Sequence, residues 1–416
     1  MDILNRARGA LLGMAVGEAL GAPLDGLSPE EIEEKVGRID GFLDPADTQP
    51  AYRSGYFTHR AYEDETQVAL ATAETLVEDA EFQAEGLRSR LEELGRPVEG
   101  NAFGCYRRAR RNFRTAVRRM LEGAPWQECG VNTAGAGAAS RGIPIGIWYR
   151  DERDGRLRAS VEATLLTHRD PRACAATVSV AEAVAVALAA ETSDALRPEA
   201  AASAIAASCR DAERLMEEEY SEVLYPGYQP YLHQYSDSAS LLSDLVQLDI
   251  GPAFERIVKQ ASDKGSRPIT SATRGFSLTA VVSSLYLFLT GLESFEDTVL
   301  DTICEGGSAD TLGCLVGGLA GALHGVDGIP AEWRGSLKNN EHVDAYGAAL
   351  VGGGDRAALA PLALTEASVT LPAPPGLRKR SRRRPDPRPS ARGRGGAGRR
   401  KGGGGPSMGG GRGGDR

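Results

Sequence analysis

Three consecutive acidic residues, Glu63, Asp64 and Glu65, stand directly before a helix-prone segment that starts near Thr66. Like charges at neighbouring positions repel one another unless they are solvated or share a cation. A helix N-terminus eases that repulsion by only about 0.3 to 1 kcal/mol per charge. The triplet therefore either forms an ordinary acidic helix start or supplies oxygen ligands to a cation.

A second turn with oxygen-bearing side chains, GGSADT at residues 306–311, also opens a helix. Its two glycines permit a tight turn, and the side chains of Ser308, Asp310 and Thr311 can direct oxygen atoms into one space. Mg²⁺ prefers carboxylate, hydroxyl and water oxygens, so two such turns that meet would suit it. No cluster of His and Cys residues favours Zn²⁺ instead.

Two helical segments that could position these turns carry a glycine at every fourth residue, so that the glycines share one helix face. Each internal glycine costs about 0.5 to 1 kcal/mol of helix stability relative to alanine. A repeated pattern therefore indicates a helix whose backbone lies close against a neighbour, and we predict two central, closely packed helices. The glycines are Gly9, Gly13, Gly17 and Gly21 in the first segment and Gly313, Gly317 and Gly321 in the second.

The 3.6-residue period of apolar residues dominates between these segments and predicts helices at 66–78, 173–191 and 276–292. No convincing run of alternating strand residues occurs. The region 217–264 is less regular, with tyrosines interrupted by proline and glycine, and predicts a loop or lid over the body. Its tyrosines either pack that loop onto the core, which we prefer, or stack on a ligand.

The composition is that of a soluble globular protein, with 41% hydrophobic and 25% charged residues among 416. Six cysteines lack CxxC pairing, and the N-terminus lacks the pattern of a signal peptide, which together predict a reducing cytoplasm. The longest apolar stretch, 276–292, contains five Ser or Thr residues. It falls short of the roughly 20 residues that cross a bilayer, so we expect no membrane span.

The segment 361–416 is rich in Arg, Gly and Pro and predicts a disordered tail after a domain of residues 1–360. Within the net charge of −9, residues 376–416 hold 14 Lys or Arg and two acids, which leaves −21 for residues 1–375. An acidic body repels nucleic acid, so any affinity for RNA would reside in the tail. Because the tail lacks aromatic residues for base stacking, a non-functional extension is an equal alternative.

Five sequence blocks, taken together, resemble the ADP-ribosylglycohydrolase family over residues 5–340. The resemblance implies an all-α domain of orthogonally packed helices. It further implies a central cleft in which one or two Mg²⁺ ions clasp the ribose of an ADP-ribosyl group and activate water to cut its glycosidic bond. The blocks are GALLGMAVGEALGAPLDGLSPEEI (9–32), EDETQVALATAETLVE (63–78), GAGAASRGIPIGI (135–147), LLTHRDPRACA (165–175) and GGSADTLGCLVGGLAGALHGVDGIP (306–330).

The resemblance also implies which residues hold the metal. The first metal motif has Glu63 in place of the family's threonine and Glu65 in place of its second aspartate. The second motif keeps its last aspartate and threonine but has Ser308 in place of its first aspartate, so one carboxylate is gained and one is lost. The implied Mg²⁺ ligands are Glu63, Asp64, Glu65, Asp310 and Thr311.

Substrate and catalytic roles are implied in the same way. His168 occupies the position of a substrate-contacting histidine. Gly135 and Gly137 belong to a loop whose backbone amides approach the diphosphate. Asp25 stands where some members have a glutamate that assists cleavage, and with Glu65 it forms the predicted catalytic pair.

Three functions remain open on these observations. The first is a Mg²⁺-dependent hydrolase that releases ADP-ribose from a modified protein or cuts a related ribosyl bond in a small molecule. The second is a catalytically impaired ADP-ribose or nucleotide-binding or scaffold protein on the same fold, which the substituted metal ligands favour. The third makes the basic tail the working part. The family residues that are retained favour the hydrolase.

Overall fold

The computed structural model describes residues 2–48, 59–98, 101–264, 268–354, 356 and 359–370. Within these ranges the chain forms helices and three isolated β-bridges, which confirms the predicted all-α class. The α-helices are α1 Ile3–Gly21, α2 Pro29–Lys35, α3 Pro45–Thr48, α4 Asp64–Asp79, α5 Ala84–Gly95, α6 Arg111–Leu121, α7 Trp126–Cys129, α8 Gly142–Trp148, α9 Arg153–Leu165, α10 Pro171–Ala189, α11 Pro198–Glu219, α12 Gln234–Ala239, α13 Leu242–Leu245, α14 Ile250–Lys264, α15 Val282–Thr290, α16 Phe295–Cys304, α17 Ala309–His324, α18 Ala331–Ser336, α19 Asn340–Ala349 and α20 Leu362–Val369.

The two glycine-rich helices, α1 and α17, form the antiparallel centre of the body, as their glycine spacing predicts. A Cβ atom added to Gly17 would lie 1.9 Å from the carbonyl oxygen of Gly313, and one added to Gly13 would lie 2.3 Å from that of Gly317. Real Cβ atoms do not approach carbonyl oxygens so closely. The glycines therefore allow direct contact between the two backbones.

The remaining predicted helices form as α4, α10 and α15, the last preceded by a π-helical turn, Ser277–Val281. Asp170 begins α10 by accepting a hydrogen bond from the backbone N–H of Arg172 at 3.0 Å. Among the described residues α10 alone is long and apolar enough to cross a membrane by itself. It packs against α8, α9 and α11, and 78% of its most apolar 18 residues are buried in the body.

The prediction of a loop or lid at 217–264 is wrong, because most of this region folds into α12, α13 and α14. In α14 the buried residues recur every fourth position, at Ala253, Ile257 and Ala261, a period that the neighbouring prolines and glycines obscured in the sequence. Tyr235 is fully buried, and its hydroxyl lies 2.7 Å from that of Ser179 on α10. The preferred interpretation of the tyrosines, that they pack onto the core, holds for Tyr235.

The predicted domain boundary at residue 360 is too early, because α20 belongs to the folded body. Glu366 on α20 is fully buried, lies 2.7 Å from the Arg107 guanidinium and accepts a hydrogen bond from Gln67 at 2.6 Å. The apolar residues of α20 are spread around the helix and its buried face contains an acid, so no amphipathic pattern identified it as a helix of the body. Residues 371–416, and with them the predicted disordered tail and its RNA affinity, lie outside the described residues.

Candidate active site

The two acidic turns meet where α4 and α17 begin. Glu63 occupies the N-cap position of α4, and Ser308 occupies that of α17. The Thr311 hydroxyl donates a hydrogen bond of 2.7 Å to Oε1 of Glu65, which joins the first turns of the two helices. The convergence that the sequence predicted for these turns is therefore present.

A third acid, Glu18 near the end of α1, holds the start of α4. Its carboxylate accepts hydrogen bonds from the backbone N–H groups of Glu65 at 3.2 Å and Thr66 at 3.0 Å. These two groups have no partner within their own helix. Burial first, and then the charge of Asp64, raises the pKa of Glu18 to about 7 although several hydrogen bonds oppose the shift. Glu18 thus links the central helix pair to the acidic turn.

The turn before α17 relies on two glycines with left-handed backbone, Gly306 (φ 63°) and Gly307 (φ 71°). The Gly307 carbonyl accepts a hydrogen bond from the Gly26 N–H at 2.6 Å, which ties the turn to the segment after α1. The Ser308 hydroxyl accepts one from the Gly275 N–H at 3.0 Å. Ser308 therefore anchors a neighbouring loop with the hydroxyl oxygen that the sequence pattern directed into one space with those of Asp310 and Thr311.

Two arginines that the sequence interpretation did not include, Arg108 and Arg110, bind the converging acids. Nη1 of Arg108 donates to both oxygens of Glu63, at 2.9 and 2.8 Å, and its Nη2 donates to Asp25 at 2.8 Å. Nη2 of Arg110 donates to Asp310 at 2.7 Å and to Asp25 at 3.2 Å. The guanidinium groups thus connect the segment after α1 with the starts of α4 and α17.

Among the six acids at these helix starts the arginines bring only the pKa of Asp310 below its ordinary value, because burial keeps the pKa values of Asp25 and Glu63 raised although both are bonded to Arg108. Burial raises the pKa of Asp310, but Arg110 and then Arg108 outweigh that effect and leave it below its ordinary value. Burial raises the pKa of Glu65 well above its ordinary value, and Asp310, Glu18 and Asp64 raise it further. Asp310 is therefore held as a carboxylate, whereas Glu65 retains its proton at a pH at which an ordinary glutamate has lost it.

A cavity of about 400 Å³ opens beside these helix starts. A Cβ atom on Gly137 would lie 2.8 Å from Oε1 of Glu65, and one on Gly135 would lie 3.2 Å from Nε2 of His168. The glycine loop therefore lies against both the acidic turn and the histidine. The lining includes Asp64, Glu65, Arg110, Thr133, Gly135, Gly137, Arg141, His168, Gly275, Ser308 and Thr311.

His168 and Arg141 are the buried basic groups of this cavity. Burial, and then the charge of Arg141, lowers the pKa of His168 to about 3, so the imidazole is neutral near pH 7. Its Nδ1 lies 2.8 Å from the Thr167 hydroxyl. Nε and Nη1 of Arg141 are buried and have no hydrogen-bond partner among the described residues. Such donors normally find a partner, so they point to an anionic or carbonyl-bearing ligand.

A second cavity of about 590 Å³ shares Thr133, Gly135 and Gly275 with the first, so the two adjoin. Arg172 lines it, with its guanidinium carbon 4.1 Å from the centre of the Tyr231 ring and 5.4 Å from that of Phe276. Together the cavities offer an acidic end and a longer, partly aromatic extension.

The sequence profile of the ADP-ribosylglycohydrolase family matches residues 1–360. The chain belongs to the ADP-ribosylglycohydrolase family. Among curated relatives, the ADP-ribosyl-[dinitrogen reductase] glycohydrolase of Rhodospirillum rubrum is 24% identical over 342 residues, which cover 81% of this chain and 91% of that protein. The ADP-ribosylarginine hydrolase Tri1 of Pseudomonas putida is 26% identical over 351 residues, with coverage of 82% and 76%.

Human ADP-ribosylhydrolase ARH3 is 24% identical over 362 residues, which cover 82% of this chain and 91% of that protein. A solved structure described as an ADP-ribosylglycohydrolase-related protein complex matches with a TM-score of 0.55 and 22% identity. The match covers 84% of this chain and 98% of that one. At this identity the structural match supports the family's fold.

The structure brings together every residue predicted for the ADP-ribosylglycohydrolase site. One set surrounds the two arginines or lies at the adjoining helix starts, and the other lies along the glycine loop. The catalytic, substrate-binding and metal-binding roles of these residues stay predictions. The first set is Asp25, Glu63, Asp64, Glu65, Asp310 and Thr311, and the second is Gly135, Gly137 and His168.

Arg108 and Arg110 were not predicted, because the basic run at 107–111, RRARR, belongs to none of the acidic turns or metal motifs. The run itself was the available signal, because four arginines within five residues of a body with net charge −21 indicate acidic partners in the fold. Arg141 gave a weaker signal, because one arginine in a helix is ordinary. Only the fold shows that it is buried beside His168.

Proposed function

We propose that this chain hydrolyses the ribosyl glycosidic bond of an ADP-ribosylated protein or of a related small molecule. The observation that carries the proposal is the convergence of Glu65, His168 and the glycine loop on one cavity in a member of this family. Hydrolysis of a glycosidic bond needs carboxyl groups that exchange protons with the leaving group and with water. The cavity offers such groups beside a surface for a diphosphate.

Glu65 is the residue that best suits proton exchange. Its Oε2 is buried without a hydrogen-bond partner among the described residues, while Oε1 is fixed by Thr311. A glutamate whose pKa is raised by burial can act as a general acid or base near neutral pH. Asp25, the other predicted catalytic acid, is bound by Arg108 and Arg110. We assign it the weaker role of orienting these arginines.

The remainder of an ADP-ribosyl group would extend along the glycine loop. Backbone amides in such loops approach phosphate oxygens, and the unpartnered nitrogens of Arg141 add a positive charge at the same wall. His168, neutral near pH 7, would exchange a hydrogen bond with a ribose hydroxyl through Nε2. The second cavity, with its aromatic side chains, would then receive the rest of the nucleotide.

The family resemblance implies one or two Mg²⁺ ions for this cavity. The carboxylate and hydroxyl oxygens have the chemistry that Mg²⁺ prefers. As they are arranged here they do not fit the ion, because Asp25, Glu63 and Asp310 already accept hydrogen bonds from two guanidinium groups. The Thr311 hydroxyl also donates to Glu65. Among the described residues, no group of three or more His, Cys, Asp and Glu side chains is disposed to hold a metal.

The same arginines favour a second candidate function, an ADP-ribose-binding or scaffold protein with impaired turnover. A cavity whose acids are neutralised by guanidinium groups could still bind the ligand through the glycine loop. Measurement of release separates the two functions, because a binder would retain affinity for ADP-ribose but release none from a modified protein.

The test is an assay of ADP-ribose release from arginine-linked and serine-linked ADP-ribosyl substrates, paired with calorimetric titration of ADP-ribose. If Glu65 exchanges protons, Glu65→Gln should lower kcat by about 10²- to 10⁴-fold with little change in affinity. Glu78→Gln, at the exposed end of the same helix, is the matched control. Binding without release by the wild type would favour the scaffold function, and absence of both would reject both candidates.

We also propose a cytoplasmic location. The six cysteines are free thiols, and five of them are buried, which suits a reducing compartment.

A further inference from the structure

Six carboxyl groups, here called the acid cluster, lie at and around the two helix starts. They are Glu18, Asp25, Glu63, Asp64, Glu65 and Asp310. All but Asp25 and Asp64 are at least nine-tenths buried. Like charges at such close range destabilise the folded state unless cations lie between them. The acid cluster is therefore stabilised by protons that some of its members retain, as Glu65 does, and by positive charge from a ligand or from the chain itself.

The chain supplies that charge from the segment 107–111, here called the arginine loop. Arg108 contacts Glu63 and Asp25 directly and lies 3.8 Å from Asp310, while Arg110 joins Asp25 to Asp310. Three separate chain segments are thus connected through two guanidinium groups. These are the segments whose carboxylates the sequence assigned to a shared metal or to catalysis.

The arginine loop is held in place from both sides rather than lying loosely on the surface. Arg107 pairs with Glu366 of α20, and its backbone N–H donates to the side chain of Gln67 at 2.9 Å. Arg108 adopts a left-handed backbone conformation (φ 48°) that residues other than glycine rarely adopt. Its side chain is only 10% exposed. A strained, anchored residue indicates that the position of its guanidinium group matters.

The departures from the family motifs agree with this arrangement. Glu63 stands where the family has a threonine, and both of its oxygens accept hydrogen bonds from Arg108. Ser308 stands where the family has an aspartate, and its hydroxyl accepts a hydrogen bond from the Gly275 N–H. The Glu63 carboxylate is thus occupied by a guanidinium group, and the Ser308 oxygen is occupied by a backbone N–H.

We propose that the guanidinium groups of Arg108 and Arg110 take the place of the divalent cation in this chain, so that its cavity accepts an ADP-ribosyl group without Mg²⁺. The identity of the ligand rests on the proposed function. The replacement of the metal rests on the contacts of the arginines alone. A guanidinium keeps its charge at any physiological pH and matches carboxylates with a planar set of donors. Arg110, whose side chain is 54% exposed, also has room to donate to the bound ligand.

The first measurement is a calorimetric titration of Mg²⁺ into the full chain, and it requires no ligand. We expect no binding to the wild type. The variant with both Arg108→Gln and Arg110→Gln should gain Mg²⁺ affinity, because its acids lose their cations. Arg118→Gln, an exposed position on α6, is the control and should behave as the wild type. Thermal melting of each variant shows whether it is folded. If the double variant is unfolded, the titration of Mg²⁺ into the wild type still tests the proposal. Tight Mg²⁺ binding by the wild type would overturn the proposal.

The second measurement compares the affinity of the wild type for ADP-ribose in chelator and in Mg²⁺. We expect equal affinities. A metal ion that joins protein and ligand would change the affinity for ADP-ribose by about 5- to 150-fold. A change of this size would also overturn the proposal, because it would show that Mg²⁺ displaces the arginines. Absence of ADP-ribose binding under both conditions would count against the proposed function. The Mg²⁺ titration would still test whether the arginines replace the metal ion.

Discussion

The middle of the α1 and α17 pair and the cavity at its end are held together by different physics. In the middle, glycines face carbonyl oxygens across a gap that no side chain can enter. At the end, long charged side chains from four segments balance one another. The steric interface leaves no room for any side chain, whereas at the charged end it is the balance of charge that matters. The comparison teaches that a substitution in the middle of the helix pair disrupts packing, whereas one at its end disturbs the balance of charge.

The steric side of this comparison is tested by Gly17→Val. The new side chain would overlap the Gly313 carbonyl, because even a Cβ atom would lie 1.9 Å from it. We expect a loss of more than about 4 kcal/mol of the free energy of unfolding, seen as little or no cooperative melting. Gly251→Val is the control, since Gly251 on α14 is exposed and has no atom within 4 Å of an added Cβ. Equal melting of both variants would remove the distinction between the two regions.

The charged end is tested by Glu366→Leu, which removes the acid that anchors the arginine loop through Arg107. This change leaves Arg107 buried without its partner, and breaking a buried ion pair in this way costs about 3 to 5 kcal/mol. Urea denaturation measures the loss, and Ser368→Ala, exposed on the same helix, should unfold as the wild type does.

Truncation after residue 360 should destabilise the chain similarly, whereas truncation after residue 370 should not. A stable chain of residues 1–360 would restore the domain boundary that the sequence predicted.

Glu18, which joins the two regions, should make stability depend on pH. Burial raises its pKa from 4.5 to about 7 in the folded chain. An acid of this kind binds its proton more tightly when folded, so its stabilising effect is full below pH 4.5 and is lost as the pH rises to about 7. Relative to Glu18→Gln, the wild type should lose up to about 3 kcal/mol over that interval. Urea denaturation at a series of pH values gives the free energy of unfolding of each protein, and parallel curves of that energy against pH would refute the prediction. Glu33→Gln, at an exposed glutamate of α2, is the control and should follow the wild type.

The smallest expected effect is that of His168→Ala on ligand affinity. Loss of one hydrogen bond costs about 0.5 to 1.5 kcal/mol, so the Kd for ADP-ribose should rise by about 2- to 10-fold without a change in melting. Because the pKa of His168 is about 3, the difference should stay constant from weakly acidic to weakly basic pH. His233→Ala, at an exposed histidine outside both cavities, serves as the control. Unchanged affinity would make His168 a core residue only.

The sequence predicted those parts of the molecule that depend on local pattern. The spacing of Gly9, Gly13 and Gly17 specified the helix pair, and the two acidic turns specified where the site lies. The arginine loop could not be placed, because its partners lie far along the chain and a basic run carries no information about which acids it meets. The terminal helix α20 was not predicted for a similar reason, since the charged Glu366 lies between Leu362 and Val369 on its buried face and its partner Arg107 is distant in the sequence.

The central claim, that guanidinium groups hold the acid cluster together, is tested most directly by a double-mutant cycle between Arg108 and Glu63. Arg108→Gln, Glu63→Gln and the double variant would be unfolded with urea in the presence of chelator, so that no divalent metal contributes. The bonds from Arg108 to both Glu63 oxygens, between side chains only 10% and 5% exposed, predict a favourable coupling energy of about 1 to 3 kcal/mol. A coupling energy indistinguishable from zero would contradict the claim.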